Sequence, residues 1–528
     1  MVTGVLLYSK RKPREYFHYK GEIFADQAGY YVYLPGAFIY RFDGSSFTEE
    51  LMQGVGYGFS VDTISGKIET KYAIGVALLQ SPFFVFTHLY NKWSGGPTDG
   101  FSGSYHNVPN WASWVYVSMG LCFFYLFLYK RIKYSLALLF LTVIFFGSSL
   151  YYYSMDNSGM SHVYSFFLFS LFLYCFDITC TRGNSVKRSV ILGMLAGLIV
   201  AVRPVNVLFI GIAVPYLMML HKRDLTWMKR QLSIPNVFSI VGMGFLMIVP
   251  QLLYWKYVHG EWIYYSYGSE GFSNWNDPQL LPFFFAPKAG LFTYSPAYLL
   301  AILAIVFGIK KRENGWLLFG FFGFCYLMSA WHIYFFGCSF GSRNLVEYAP
   351  LFFIPLALQL NSGNKYLKRT TGTVLIVAST FTISLSSSYS GCFYGNTWDW
   401  REYREMALRG TYYTSIGGRH VDEDELYSGI NSSAHQWFTC AGYSTADVKI
   451  KVEGYSEDTE LVFEMYKDSI VEYASFNVME EIQKDGGDAA YYSFLIGRGR
   501  SSDAIYKFYI YNEGKDDLDI EKLAVWLH

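Results

Sequence analysis

Cysteine does little in this chain of 528 residues. Its seven cysteines are scattered, with no CxxC pair and no histidines at metal-ligand spacing, which excludes a zinc module and a disulfide framework as organising elements. Cys392 and Cys440 share a compartment on the topology derived below and could pair; a free, buried thiol is the alternative. Charge is also scarce. Only 16% of residues are charged, they sum to zero, and no basic face with interleaved aromatics stands out, so nucleic acid is excluded as a partner. No signal peptide, internal repeat or low-complexity tract is visible. What remains is 52% hydrophobic and 20% aromatic, with the apolar residues in blocks. That is the composition of a polytopic membrane protein.

Apolar runs long enough to cross or nearly cross a bilayer lie at about 110–129, 134–153, 161–178, 189–203, 205–220, 236–255, 290–309, 315–336, 346–360 and 371–389. Lipid cannot satisfy an open backbone, so these runs are expected to be helical. Basic clusters mark cytoplasmic loops: Lys130, Arg131 and Lys133; Arg182, Lys187 and Arg188; Lys222, Arg223, Lys229 and Arg230; Lys310, Lys311 and Arg312; Lys365, Lys368 and Arg369. They alternate with loops 154–160, 256–289 and 337–345, which with everything after about residue 390 then face the other side. On this count 72–91 is read as a helix lying in the outer interface, inside a long first outer loop of about 10–109; an ordinary span is the competing reading. MVTGVLLYS, at the start, is too short to span and reads as an incomplete first helix.

Three parts follow: 1–391, the transmembrane domain; 392–444, a linker in which WDWREYREMALRG reads as an amphipathic helix; and 445–528. The last part alternates with period two in DVKIKVEGY, TELVFEMY, AYYSFLIG, AIYKFYIYN and IEKLAVWLH, which predicts a β-sandwich-like outer domain that binds glycan or acceptor, or caps the site.

Asp26 is the first candidate for chemistry. It sits in FADQAGYYVYLPGAFIY, and a carboxylate of ordinary or slightly raised pKa there can deprotonate an acceptor hydroxyl. Tyr30, Tyr31 and Tyr33 beside it suit the headgroup level or stacking on sugar faces. Lys71 stands directly before the in-plane helix, where a cation opposes the macrodipole; binding a phosphate would account for it, and snorkelling is the bland account. Asp156 and His162 form an ionisable pair at a span end, with helix capping by Asp156, Asn157 or Ser158 as the alternative. Arg203 interrupts apolar sequence, and Pro204 should break the helix there. In WHIYFFGCSFGSRNLVEYAP, His332, Arg343 and Glu347 surround Gly337 and Gly341; Arg343 could hold a phosphate bidentately or pair with Glu347 four residues on. Glu270, Trp275, Asp277 and Lys288 lie in the outer loop 256–289, whose composition suits carbohydrate or interface anchoring.

In arrangement, these residues resemble the GT-C superfamily of polytopic glycosyltransferases, nearest the aminoarabinose and protein-mannosyl transferase branch. Asp26 stands where that family carries its catalytic aspartate. KYAIG is similar to the K-P-P-L-type element whose lysine contacts lipid phosphate, with Tyr72 and Ala73 in place of the prolines. KAGLFTYSP, VRPVN and SFGSRNLVEYAP look similar to further family segments. The resemblance covers about 15–390; it lacks the D-E or D-D pair of some branches and the W-W-D motif of oligosaccharyltransferases.

The resemblance implies a mainly α, GT-C-type helical bundle in a bacterial inner membrane, with its site and C-terminus periplasmic. It implies inverting transfer from a polyprenyl-phosphate sugar to a glycan, lipid or protein acceptor. Asp26 would be the base and Lys71, Arg203 and Arg343 the lipid-phosphate ligands. Tyr30, Tyr31, Asp156, His162, Lys288, His332 and Glu347 are candidate substrate contacts. The residues indicate no cofactor and no metal ligands; a divalent metal is compatible with the chemistry without being indicated. A flippase or transporter, or a polymerase of lipid-linked glycans, is the alternative.

Overall fold

The computed structural model describes residues 21–389 apart from 338, a few residues at 400–407, and the strands and one helix of the C-terminal part named below. The short apolar start, Cys392, Cys440 and most of the expected linker helix lie outside the described residues. The chain divides into two units. The first takes in most of the chain up to Thr382, and the second comprises Phe285–Gly290, Phe335–Gly341 and Ile383–His528.

Every apolar run read from the sequence is largely helical, although 315–336 leaves its helix after Ser329. The helices are Asn107–Tyr129, Tyr134–Gly147 with Leu150–Met155, Ser161–Arg182, Val186–Val202, Val207–Leu220, Ile234–His259, Leu291–Tyr294 with Ala297–Phe307, Arg312–Ser329, Ala349–Ser362 and Lys365–Ser388. Among the described residues, four helices are long and apolar enough to cross a membrane: Gly103–Tyr129, Ser161–Arg182, Ile234–His259 and Lys365–Ser387. A bent pair, Pro204–Leu220 with Leu225–Gln231, would make a fifth if it is one span. Ile234–His259 turns Phe238, Val241, Phe245 and Leu253 outward, an apolar face suited to lipid.

The segment before these helices is a folded body, not an open loop. Tyr31, Tyr33, Phe59, Phe84, Phe101, Tyr105 and Tyr254 share one aromatic core. Rings meet edge-on, as in Tyr31–Phe84 and Tyr33–Tyr254, which aromatic quadrupoles favour. A hairpin of β1 (Ser60–Val61) and β2 (Ile68–Glu69) leads into the helix Gly75–Ser94. That helix buries Val76, Leu79, Gln80 and Phe84 and exposes Phe86, Leu89, Tyr90 and Trp93. It is not among the helices apolar enough to cross.

The five strands expected near the C-terminus are present as β6 (Thr445–Glu453), β7 (Thr459–Lys467), β9 (Ala490–Leu495), β10 (Ile505–Asn512) and β11 (Leu518–Leu527). The sequence reading missed β3 (Tyr412–Ile416), β4 (Arg419–Val421), β5 (His435–Thr439) and β8 (Ser469–Asn477), and the helix Val478–Asp485. All pair antiparallel in two sheets, ordered β5-β10-β7-β8 and β3-β11-β6-β9, with β4 also on β11. The sandwich reading therefore reduces to two antiparallel sheets.

A polar knot lies at the Arg182 end of Ser161–Arg182, the end that faces the basic loop with Lys187 and Arg188. Asp177 is 1% exposed and is held by the Arg131 guanidinium and by His221 Nε2 at 2.6 Å. A buried carboxylate shared by a guanidinium and an imidazole joins three helix ends through one group, and removing it strands Arg131. Asp177→Ala is expected to cost about 3–5 kcal/mol. A thermal unfolding midpoint in detergent unchanged from wild type would refute that role.

Candidate functional site

The site is built where the helix Asp26–Tyr31 meets the segment between β2 and Gly75. Ala25, just before Asp26, has φ 47°, a conformation a side-chain-bearing residue rarely adopts. Its N–H donates to the Val55 carbonyl at 2.8 Å, which holds the turn. Gly29 lies one turn after Ala25. A Cβ there would stand 2.3 Å from the Tyr72 ring, so only glycine lets that ring lie across the helix. The Tyr72 hydroxyl then donates to Asp26 Oδ1. Gly75 plays the same part against the end of Val186–Val202. A Cβ on it would meet the Val202 nitrogen at 2.3 Å, so this close approach brings the Lys71–Tyr72 segment beside Arg203.

Arg203 follows directly on that helix, as its C-cap, and Pro204 opens a short 3-10 turn. The helix thus stops where the proline predicts, and a cation at its C-terminal end complements the macrodipole. The Arg203 guanidinium donates to Glu347 Oε1 at 3.0 Å and to Asn344 at 2.6 Å. Glu347 has no exposed surface, and its other oxygen faces His162 Nδ1 at 2.9 Å. Arg343 lies in a 3-10 turn and reaches Asp26 Oδ2 at 3.2 Å. The expected Arg343–Glu347 pair is replaced by two longer-range pairs, because the short turn splays the two side chains toward different elements. Lys71 Nζ is 2.6 Å from Glu270 and 5.7 and 5.9 Å from the Tyr72 and Tyr267 rings. The helix begins only at Gly75, so Lys71 lies ahead of its first turn and Glu270 balances its charge.

These pairs form one cluster. Tyr30 has its ring 4.4 Å from Tyr72 and its hydroxyl on Ser161 at 3.2 Å, and it feels the charges of Arg203, Asp26 and Arg343. Burial pushes its phenol up, as it does for Tyr72 and Tyr267, so all three remain hydrogen-bond donors. For Asp26, burial alone would raise the pKa, but Arg343, the Tyr72 hydroxyl and Lys71 together hold it below the ordinary carboxylate range. The expectation of an ordinary or raised value is corrected by that short-range positive field. Asp26 keeps 35% of its side-chain surface open, so it is reachable although paired.

Several expected contacts take other roles. Tyr31 and Tyr33 are 1% and 2% exposed and donate to the Gly100 and Tyr72 carbonyls, at 2.8 and 2.6 Å. The tyrosine-rich segment is helical here and rotates these rings into the core. Asp156 flanks the end of Leu150–Met155 and does not cap the next helix, whose N-cap is Met160. The loop after it is gripped by Gln27, which donates to Asn157 at 3.2 Å and accepts from the Gly159 N–H at 2.9 Å. The His332 N–H donates to the Gly271 carbonyl at 2.9 Å, and its ring lies 5.2 Å from Trp331. Lys288 belongs to the second unit, where its ammonium lies 3.8 Å over the Phe335 ring; burial lowers its pKa. Trp275 stacks edge-on against Tyr326, with centroids 5.5 Å apart.

Comparisons of the chain with protein-family models, with curated proteins and with solved structures give no match.

Two predictions follow from this geometry. Loss of Arg343 removes the leading opposing charge from Asp26, so Arg343→Gln should raise its pKa. The protonated carboxyl, which carbodiimides label, should then appear at higher pH than in wild type; coincident labelling profiles, read by peptide mass, would contradict the pairing. Gly29→Ala should drive Tyr72 off Asp26 and shift the same profile upward, with a lowered thermal unfolding midpoint because its Cβ also meets the Gly58 carbonyl at 2.4 Å.

Proposed function

We propose that the chain is an integral-membrane glycosyltransferase that moves a sugar from a polyprenyl-phosphate donor to an acceptor hydroxyl on the non-cytoplasmic face. One observation carries the reading. A reachable carboxylate, Asp26, is held among cations that suit a phosphate, with Arg343 bonded to it and Lys71 and Arg203 in the same cluster. An enzyme that must deprotonate a hydroxyl and stabilise a leaving phosphate needs both charges side by side.

In this reading the site is closed on itself before the donor arrives. The donor's phosphate competes with Asp26 for Arg343 and with Glu270 for Lys71. Once the cations turn to phosphate, the field that depresses Asp26 weakens and the carboxylate becomes a better base. The acceptor O–H proton passes to Asp26 and the oxygen attacks the anomeric carbon. The anomeric C–O bond breaks with its electron pair going to the phosphate oxygen, and configuration inverts. Glu347 keeps Arg203 aligned, and His162 completes the Glu347 contacts. The finer architecture belongs to the same proposal: about ten spans of GT-C type, the helix Gly75–Ser94 in the outer interface, and a periplasmic C-terminal domain whose two sheets stack as a sandwich that offers a glycan surface.

Asp26→Asn keeps the size and removes the proton acceptor. It should abolish transfer from radiolabelled polyprenyl-phosphate sugars while donor binding holds or tightens, since Arg343 loses its competitor. Asp156→Asn should do far less. Wild-type turnover by Asp26→Asn would remove the base from this residue, and failure of every polyprenyl-phosphate donor with the full protein would favour a transporter of lipid-linked glycans.

A further inference from the structure

Asp62, Glu69 and His259 each offer a ligand atom, and these atoms lie within 4.8 Å of one another. They come from two elements with no sequence proximity: the β1–β2 hairpin, and the last residue of the helix Ile234–His259, which Gly260 ends in the left-handed conformation. We propose that they form a divalent transition-metal site that clamps the hairpin to the end of that helix. The inference is independent of the glycosyltransferase reading.

The donors are arranged for it. Glu69 spends Oε1 on the Ser60 hydroxyl at 3.0 Å and turns Oε2 toward His259 Nδ1, at 3.9 Å. Asp62 takes the Ser65 N–H on Oδ2 at 2.7 Å. Each carboxylate is thus oriented by a neighbour, as ligands in metal sites are. Lys67, the nearest cation on the hairpin, is directed elsewhere: its ammonium donates to the Tyr257 carbonyl at 2.7 Å.

His259 supplies the second, independent sign. Its side chain is 5% exposed, yet among the described residues Nε2 has no hydrogen-bond partner, and the 3.9 Å from Nδ1 to Glu69 exceeds hydrogen-bond range. The ring is held in place by stacking on Tyr264, with centroids 3.6 Å apart. Nδ1, the nitrogen that faces the carboxylates, thus has no protein atom within hydrogen-bond distance among the described residues, and a metal bond there would satisfy it. Ligands at about 2.0–2.2 Å from one ion stand roughly 3–4 Å apart, so closure needs side-chain movement on the order of an ångström. One imidazole with two carboxylates suits zinc or a similar first-row ion over calcium or magnesium, which prefer all-oxygen sites.

The full-length protein in detergent, stripped with chelator, should take up one Zn2+ per chain in competition with a chromophoric chelator. Ca2+ and Mg2+ should not displace it. Glu69→Gln, Asp62→Asn and His259→Gln should each weaken uptake by at least about tenfold, since even outer-shell partners are worth 10–100-fold. With Co2+ as probe, the visible absorption of the wild-type complex should change in His259→Gln. If His259→Gln fails to fold, the two partly exposed carboxylate variants carry the test. No stoichiometric uptake by wild type, or equal uptake by Glu69→Gln and Asp62→Asn, would overturn the site.

Discussion

Asp26 and Arg343 meet across 317 residues of chain, and the arrangement around them depends on that contact. Neither charge is fully solvated, so each needs the other. Asp26 is fixed by a helix that begins in a strained turn, Arg343 by a short turn before Ala349–Ser362. Bringing them together also sets Tyr72 on the carboxylate from its other side. The second pair, Arg203–Glu347, repeats the logic one step deeper, with Asn344 and His162 filling the remaining positions.

The three cations Lys71, Arg203 and Arg343 are therefore matched one for one by Glu270, Glu347 and Asp26. This differs from an open cradle of positive charge. A site whose cations already have partners can bind an anion only by exchange, so affinity is a difference between two good pairings. The fully buried Glu347 has the least freedom to let go. Asp26 and Glu270, each about a third exposed, can be rehydrated when their partners leave. Exchange is thus expected at Arg343 and Lys71, while Arg203 keeps its place.

Much of this was legible in the chain before any coordinates. The apolar runs became largely helical, as a backbone in lipid must, although among the described residues only four helices, or five with the bent pair, are long and apolar enough to cross; Pro204 stopped its helix because a proline there cannot donate. Alternation revealed five strands. Local pattern could not reveal partners. Glu270 meets Lys71 across 199 residues and Glu347 meets Arg203 across 144, and no periodicity encodes such distances. Asp62, Glu69 and His259 are invisible for the same reason, since spacing rules find only ligands close in sequence. The tyrosines misled in another way: Tyr31 and Tyr33 have the composition of an interface belt, but a helix turns them inward. Tyr72, which read as a departure from a proline motif, supplies a hydrogen bond that proline cannot make.

The segment from β2 to Gly75 shows how a flexible-looking stretch can aim a charged group. The Ile68 carbonyl and the Thr70 N–H both bond the Tyr254 hydroxyl, at 3.2 and 3.1 Å, and the Thr70 hydroxyl donates to the Gly29 carbonyl at 2.9 Å. The Lys71 carbonyl accepts from Ser266 at 2.9 Å, that of Tyr72 accepts from Tyr33, and the Ile74 N–H donates to Gln251 at 2.7 Å. Nearly every residue of this stretch is thus tied to a different part of the fold. Its backbone can neither slide nor turn, while the Lys71 ammonium, at the end of four methylenes and 36% exposed, keeps its freedom. A fixed backbone with a mobile charge is what exchange between carboxylate and ligand requires: the anchor sets where the ion can go, and only the side chain must move.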